Sequence, residues 1–423
     1  KYQEYYPERV VEKVLKAEYP VIHLDMSGGK YMSEDQLQRY LIDLVEEQER
    51  KFSFHNEKID INLRLKDLIM SLYQTTGKKV VVLIDEYDAP LLDVAHEKEQ
   101  LVKLRNIMRN FFSPLKAREA YLRFVFFTGI TKFSQVSIFS ELNNVTNVSM
   151  YDEYAGMLGI TKEELSGQLS DDIEVLATKL HLTKKQTLDK LTENYDGYHF
   201  SAYSPDVFNP YSLFNCFAQG KLGSYWFASG TPTYLINMMR KYDVLPTGIT
   251  RVEADESEFD APTEDMTTLM PLLYQSGYLT IKDYNRDYNY YTLDIPNKEV
   301  KIGLTKALIP SYVTGNTLAT TNTARRIAQA LDKQDMDGAL HLLQDFLGTV
   351  PYCNVTNHEG HYQQMLFIIF SLLTDYLVDV EVHTPKGRVD VVLLTGTDLY
   401  IIELKLDKSA QAAMQQINLK NYR

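Results

Sequence analysis

A run of five aliphatic residues, VVVLI at positions 80–84, is followed directly by two acids, Asp85 and Glu86. Uninterrupted aliphatic runs of this kind are typical of central strands in parallel sheets, because helices cover both faces of such strands. Two further strand-like runs, at 19–27 and 121–130, are separated from it by stretches with helical periodicity. This alternation predicts an α/β fold with a largely parallel sheet in the first third of the chain.

Acids at the carboxyl end of such a strand have a specific use in nucleotide-hydrolysing enzymes. The first carboxylate, here Asp85, would hold Mg2+ through the coordination shell of the ion. The second, Glu86, would polarise the attacking water. Thr128 ends the neighbouring strand, where such folds place a polar residue that senses the terminal phosphate. Asp85 and Thr128 are therefore predicted cofactor-binding residues, and Glu86 is a predicted catalytic residue. The alternative is that the acids only mark where the strand emerges into solvent.

The phosphate-binding loop that such a site needs, G-x-x-x-x-G-K-[ST], does not occur in the sequence. SGGKY at 27–31 has Tyr31 where the Ser or Thr of the loop belongs. TGKKV at 76–80 also lacks a Ser or Thr after its Gly-Lys pair. We therefore expect either that the chain begins downstream of this loop or that the domain has lost nucleotide binding.

The middle of the chain changes to mostly helical patterning over 151–217. Within it, Thr161 followed three residues later by Glu164 predicts a capping box at a helix start. Two β-rich runs, 276–284 and 289–300, flank a polar tip and predict a hairpin. This hairpin either closes the helical part or forms the wing of a winged-helix domain, and both interpretations stay open.

The chain ends in a pattern of helix, strand, strand and helix, with the strands predicted at 381–395 and 397–406. Asp390 lies on the first strand, and Glu403 and Lys405 lie on the second. Because strand side chains alternate, the Glu403 and Lys405 side chains share one face, and pairing of the strands as a hairpin would bring Asp390 near it. Carboxylates suit Mg2+, and a nearby amine can orient or activate water for phosphodiester hydrolysis. The alternative is an ordinary ion pair on a solvated face.

This D-x(12)-E-x-K layout resembles that of the PD-(D/E)XK nuclease superfamily, although Val389 stands where the superfamily's name has a proline. Most of the chain before it resembles the AAA-ATPase-like family. The stretches that carry this second resemblance are YPVIHLDMS, VVVLIDEYDAPL, TGITKFSQVSIFSELNNV, YDGYHF, VFNPYSLFN, YWFASGTPTYL and GYLTI. In that family a P-loop of the form GKS precedes the first of these stretches, which implies that Lys1 lies after it. The family also frequently carries a nuclease-like C-terminal domain.

The resemblance implies a role for each polar residue of the C-terminal region. Asp390 and Glu403 would bind the metal ion, and Lys405 would orient or activate the water. Glu359 matches an acidic position that can supply a further metal ligand, with a helix N-terminal charge as the alternative. Gln416, in the last helix, matches a polar position found beside the site.

Composition argues against several other classes of protein. The formal net charge of −13 argues against a general nucleic-acid coat, although residues 381–423 carry a balance of +1. No apolar run approaches the length of a membrane span, and two cysteines fit a reducing compartment, so we expect a cytoplasmic protein without a membrane partner. Nine histidines without paired spacing argue against a zinc site.

The sequence therefore predicts an AAA-ATPase-like α/β core at 1–150 without its phosphate loop and a helical and hairpin region at 151–320. A helical connector at 321–358 and a restriction-endonuclease-like α/β domain at 359–423, which ends early, complete the prediction. The predicted function is ATP-regulated cleavage of DNA or RNA with Mg2+ or Mn2+, and ATP is expected as a cofactor only if a P-loop precedes Lys1. The alternative is a non-cleaving ATP-binding switch, or a protein that binds DNA or a protein partner. The oligomeric state is left open.

Overall fold

The computed structural model describes most of the chain, with gaps. The described residues are 18–28, 33–92, 94, 97–130, 144–226, 235–236, 238–239, 242, 244, 246–262, 266–312, 317–348, 358–372, 377–384, 387–395, 398–405 and 409–420. They form two compact units, the first within 1–147 and 260–267 and the second within 148–259 and 268–423. The four regions predicted from the sequence stay a prediction at that finer level.

The first unit is built on a three-stranded parallel sheet with the order β1-β2-β3. Its described elements are β1 (Val21–Asp25), α1 (Glu34–Lys51), α2 (Ile61–Thr76), β2 (Val80–Asp85), α3 (Ala89–Leu92), α4 (Lys98–Ala117) and β3 (Leu122–Phe127). The register pairs Asp25 with Asp85 and Ile84 with Phe127, so the carboxyl ends of the strands meet at one edge. The predicted parallel α/β arrangement is confirmed.

The central strand β2 is buried as its aliphatic run predicts. Val80, Val82 and Ile84 have at most 1% of their surface exposed. They join a core formed with apolar residues of the flanking helices, among them Leu41, Leu65, Leu68, Met108 and Phe112. Burial of such side chains contributes about 1.5–3 kcal/mol each, which makes this core the main source of the unit's stability.

A buried ion pair joins α1 and α2 in the same unit. Arg64 donates to both carboxylate oxygens of Glu49, with Nη2–Oε2 at 2.5 Å and Nε–Oε1 at 3.1 Å. Its Nη1 atom also donates to Glu46 Oε1 at 2.7 Å. Because Arg64 and Glu49 are almost completely buried, each charge depends on the other for its compensation.

The second unit begins with a helical part. Its described elements are β4 (Ile160–Thr161), α5 (Lys162–Gln168), α6 (Ser170–Leu180), α7 (Lys184–Tyr195), β5 (Val207–Phe208) and α8 (Pro210–Gln219). The predicted capping box at the start of α5 is present. The Glu164 backbone N–H donates to Thr161 Oγ1 at 3.2 Å, and the Thr161 N–H donates to Glu164 Oε2 at 2.9 Å.

A three-stranded antiparallel sheet with the order β6-β8-β7 follows. Its elements are β6 (Val252–Ala254), α9 (Glu256–Phe259), α10 (Met270–Gln275), β7 (Thr280–Asn285) and β8 (Tyr290–Asp294). The predicted hairpin is confirmed as β7 and β8, whereas β6 was not predicted. The register shifts between Ile281 and Asp283, which makes Lys282 a β-bulge. The bulge places Ile281 and Tyr284, three residues apart, against one apolar cluster.

The YDGYHF motif at 195–200 packs against this hairpin. Gly197 has a φ of +91°, and a Cβ there would lie 2.5 Å from the Pro296 carbonyl oxygen, so only glycine fits. Lys282 Nζ donates to the carbonyl oxygens of Gly197 and Pro296 at 2.7 and 2.9 Å. These contacts favour a packing role for the motif.

The last part of the second unit contains α11 (Lys298–Tyr312), α12 (Thr317–Asp332), α13 (Met336–Gly348), α14 (His358–Ser371), β9 (Leu377–Thr384), β10 (Gly387–Leu394), β11 (Leu399–Ile402) and α15 (Ala410–Lys420). The three strands form an antiparallel sheet with the order β11-β10-β9. The prediction of one strand over 381–395 was wrong, because the chain reverses between Thr384 and Gly387 and forms β9 and β10. Val391 and Leu393 pack with α14 in the core.

Candidate functional site

The pairing of β10 with β11 determines the geometry at the end of the chain. The last registered pair is Val391 with Ile402, and one step further along the same register are Asp390 and Glu403. Directly opposite residues of antiparallel strands have Cβ atoms about 5 Å apart. The Leu404 backbone N–H donates to Asp390 Oδ2 at 2.7 Å, which ties the two chain segments together at this point. The structure thus places the Asp390 carboxylate against the backbone of the residue that follows Glu403, the other acid predicted as a metal ligand.

Glu403 and Lys405 lie just beyond β11, which ends at Ile402, rather than on the strand itself. Lys405 Nζ donates to Glu403 Oε1 at 2.6 Å. The Glu403 side chain is only 1% exposed and that of Lys405 is 17% exposed. The ion pair foreseen as the alternative is therefore present, but it is buried rather than on a solvated face.

Gln416, on α15, lies next to the same carboxylate. Its Nε2 atom donates to Glu403 Oε1, the oxygen that also accepts from Lys405. The other oxygen, Oε2, is buried. The polar position in the last helix is therefore joined directly to the acid, a contact that the sequence could not show.

Asp390 is itself buried, with 5% of its surface exposed, between the core residues Val389 and Val391. A carboxylate in such a position is costly unless hydrogen bonds, an opposite charge or a metal ion compensates for lost water. The Leu404 N–H supplies one such hydrogen bond. Arg388, two residues earlier on the same strand, is exposed instead.

Glu359, the remaining predicted ligand, is the second residue of α14, and the position of its side chain lies outside what the structure describes. In the described part of the chain no group of three or more acidic, histidine or cysteine side chains could hold a metal ion. Asp390 and Glu403 supply two carboxylates, which is the number that proteins commonly provide for Mg2+ beside substrate phosphates. Their chemistry therefore fits the predicted metal ion.

A second set of acids lies at the carboxyl edge of the parallel sheet in the first unit. Thr128 Oγ1 donates to Asp85 Oδ1, and the Glu86 backbone N–H donates to the same oxygen at 3.1 Å. Glu86 has a φ of +48°, which is uncommon for residues other than glycine. All three residues predicted for a nucleotide site are thus adjacent.

Two further acids of this edge were missed by the sequence analysis. Asp25 is paired with Asp85 across β1 and β2, and Asp88 is fully buried and accepts from the Ile130 N–H at 3.2 Å. Burial raises the pKa of Glu86, and the carboxylates of Asp85, Asp88 and Asp25 raise it further, in that order. Asp25 could have been predicted, because it lies near the end of the strand-like run at 19–27 and the carboxyl ends of parallel strands meet at one edge.

The structure also shows why TGKKV at 76–80 is not a phosphate loop. Gly77 ends α2 with a φ of +65°, and the chain then enters β2. A phosphate loop instead leads from a strand into a helix, whose first N–H groups bind the anion. Most of SGGKY lies outside the described residues.

Comparison with known proteins matches each end of the chain to a family model. Residues 3–139 match the family model described as predicted AAA-ATPase, and residues 357–423 match the PD-(D/E)XK nuclease superfamily. The predicted architecture, an AAA-ATPase-like segment followed by a C-terminal segment of this nuclease superfamily, is confirmed.

One relative extends over nearly the whole chain. It is "Uncharacterized protein in vnfD 5'region" of Azotobacter chroococcum mcd 1, which is 28% identical over 413 residues and covers 96% of this chain and 77% of the relative. No solved structure matches. Among the described residues, no helix has the length and apolar character needed to cross a membrane.

Proposed function

We propose that the C-terminal segment hydrolyses phosphodiester bonds of DNA or RNA with a divalent metal ion, Mg2+ or Mn2+, held by Asp390 and Glu403. The observation that carries the proposal is the placement of these two carboxylates one step beyond the last registered pair of β10 and β11. The Lys405 amine lies against one of them. The match to the PD-(D/E)XK superfamily supports the same chemistry.

Each side chain has a distinct task in this proposal. A bound divalent ion would supply Lewis-acid stabilisation of the phosphate and a more acidic water. The Leu404 N–H fixes the orientation of Asp390, and Lys405 and Gln416 together fix Oε1 of Glu403. The Lys405 ammonium also provides a positive charge beside the acids, where it can orient a water molecule and offset charge on the phosphate.

The test uses the full chain with plasmid DNA, single-stranded DNA and RNA, each with Mg2+, Mn2+ or EDTA. We expect metal-dependent cleavage of at least one substrate, and its loss in the Asp390→Asn variant. Asp345→Asn is the matched control, because Asp345 is an exposed acid on α13 of the same unit. A folded protein that cleaves none of the substrates, or an Asp390→Asn variant that cleaves normally, would contradict the proposal.

We further propose that a nucleotide bound to the first unit regulates this activity, provided that a P-loop precedes Lys1. The support is the adjacency of Asp85, Glu86 and Thr128 at the carboxyl edge of the parallel sheet, where α/β folds bind ligands. ATP should then change the cleavage rate of a chain that includes the upstream segment, and Asp85→Asn should abolish the ATP effect while leaving basal cleavage. A cleavage rate that does not change with ATP would contradict the proposed regulation and leave the proposed cleavage untouched.

A second candidate is a non-cleaving protein that binds DNA or a protein partner. One observation favours it: β6 precedes two short helices and then the β7–β8 hairpin, and the sheet order β6-β8-β7 is the order found in winged-helix domains. Binding of duplex DNA by the Asp390→Asn variant and by the unmodified chain alike, without cleavage by either, would favour this candidate.

A further inference from the structure

A row of aromatic rings on the second unit, beside the β7–β8 hairpin, begins at an exposed tyrosine and ends at a buried phenylalanine. Tyr203 is 66% exposed and meets Tyr284 edge-on, with ring centroids 6.0 Å apart. Tyr284 contacts Tyr291 at 4.6 Å, and Tyr291 contacts the fully buried Phe259 at 5.3 Å. We call these four residues the tyrosine ladder. It runs from the buried core of the sheet to the surface.

The exposed end of the ladder is held in place. The Tyr203 backbone N–H donates to Asp152 Oδ1 at 3.3 Å, and the Tyr284 hydroxyl donates to Asn289 Oδ1 at 2.9 Å. Ring contacts of this geometry contribute about 0.5–1.5 kcal/mol beyond the burial of area. A large aromatic surface that is fixed before binding loses little conformational entropy when a partner binds.

The surroundings of the ladder are acidic. Within the same unit, residues 251–259 and 268–294 contain seven acids and three basic residues, Arg251, Lys282 and Arg286. The Lys282 amine donates to two backbone carbonyl oxygens. Burial raises the pKa of Tyr291 to about 12, and the next cause is the negative charge of Glu256, with Asp152 contributing less. Asp152 accepts from the Tyr203 backbone N–H, and Glu256 begins α9, the short helix that ends at Phe259.

We propose that Tyr203 and Tyr284, with the Asp152 and Glu256 carboxylates, bind arginine or lysine side chains of a basic protein segment. Aromatic faces attract cations, and the nearby carboxylates add charge complementarity. A nucleic-acid strand could also stack on exposed tyrosines, but the acidic surroundings repel its phosphates. The inference concerns a surface distinct from the residues of the proposed nuclease site and does not depend on it.

The experiment measures binding of a fluorescent peptide of alternating arginine and glycine to the full chain by anisotropy, beside a labelled single-stranded DNA of similar length. We expect the peptide to bind more tightly than the DNA, with an affinity that falls as salt rises. Tyr203→Ala should weaken peptide binding about threefold, through loss of one exposed cation–π contact. Glu256→Lys should weaken it about tenfold, because an attraction becomes a repulsion.

Matched controls separate this surface from the general acidity of the protein. Tyr211→Ala removes a tyrosine that is 52% exposed on α8, and Glu57→Lys reverses an exposed charge in the first unit. Neither should change peptide affinity by as much as its ladder counterpart. Equal losses from Glu57→Lys and Glu256→Lys, no effect of Tyr203→Ala, absence of peptide binding, or tighter binding of the DNA would each overturn the proposal.

Discussion

The two acidic sites of this protein lie at strand ends, but they balance their charge differently. At the edge of the parallel sheet, Asp25, Asp85 and Glu86 lie together, and the hydrogen bonds to Asp85 come from a hydroxyl and a backbone N–H. At the end of the chain, Glu403 is bonded to the amine of Lys405.

This difference has a physical consequence. Burial raises the pKa of Glu86, and the like charges of the neighbouring carboxylates raise it further. At the second site, an ammonium group instead lies beside the buried carboxylate and offsets part of the cost of its burial. Among the described residues, the two sites therefore differ in their hydrogen-bond donors: a hydroxyl and a backbone N–H bond Asp85 at the first, whereas an ammonium group bonds Glu403 at the second.

The largest expected effect is that of Lys405→Met. The substitution leaves the Glu403 carboxylate buried without its amine, so the free energy of unfolding should fall by about 3 kcal/mol, measured by urea denaturation. Metal-dependent cleavage should also be lost. The double variant Glu403→Gln with Lys405→Met should be more stable than Lys405→Met alone, because no buried charge then remains uncompensated.

Lys420→Met is the control for this prediction, since Lys420 is an exposed lysine near the end of α15. A Lys405→Met variant as stable as Lys420→Met would mean that the amine contributes nothing to the second site, and the contrast between the two sites would fail.

Arg64→Met tests whether a buried acid with a basic partner is by itself a sign of chemistry. Glu49 would lose its bidentate partner, and we expect a loss of about 3 kcal/mol in stability of the first unit, again by urea denaturation. Basal cleavage by the folded variant should remain unchanged, because Glu49 belongs to an α1–α2 packing contact. Loss of basal cleavage at a temperature where the variant is fully folded would mean that the Arg64–Glu49 pair is not only a packing contact.

Thr128→Val sharpens the description of the first site. It removes the hydroxyl that donates to Asp85 while keeping the shape of the side chain, so stability should fall by about 1 kcal/mol. Thermal unfolding beside Thr161→Ser, which keeps a hydroxyl at the α5 cap, provides the comparison. A gain in stability for Thr128→Val would mean that the hydroxyl does not hold Asp85 in solution.

Glu86→Gln should have the smallest effect, and its sign depends on pH. Because the pKa of Glu86 is raised in the folded protein, folding favours the protonated form, and stability is lost as pH rises from the unfolded pKa through the folded one. At neutral pH the variant should be more stable by about 0.5 kcal/mol after solvent screening. The gain should vanish below the ordinary pKa of glutamate, about 4.3.

Denaturation of both proteins at neutral and acidic pH measures this difference. A Glu86→Gln variant that is less stable than the unmodified chain at neutral pH would show that the charge of Glu86 does not destabilise the folded protein.

Much of both sites could be predicted from local patterns. The aliphatic run at 80–84 predicts a buried strand because five such residues in a row can be satisfied only when both faces are covered. The separation of Asp390 and Glu403 predicts their proximity. In a hairpin, residues that are equally far from the turn lie opposite each other, and these two residues are about equally far from the turn between β10 and β11.

Other features could not be read from the sequence. The reversal within 381–395 was missed although Pro385 and Gly387 are turn residues, and the pairing of β9 with β10 shows it. The contact of Gln416 with Glu403 joins residues of two elements whose mutual position depends on tertiary packing. β6 has only three residues, too few for a periodic signal, and its pairing with β8 makes it a strand.

The sequence alone was enough to predict the parallel α/β class of the first unit, the hairpin of the second, and the acids and amine at the end of the chain. These follow from side-chain periodicity and residue chemistry, which act over a few neighbouring positions. Tertiary packing is what buries Glu403 and brings Lys405 and Gln416 to one of its oxygens. It also buries Glu86 among Asp85, Asp88 and Asp25, which together raise the pKa of Glu86. Burial and electrostatic coupling depend on distances between segments remote in sequence, and these distances exist only once the chain has folded.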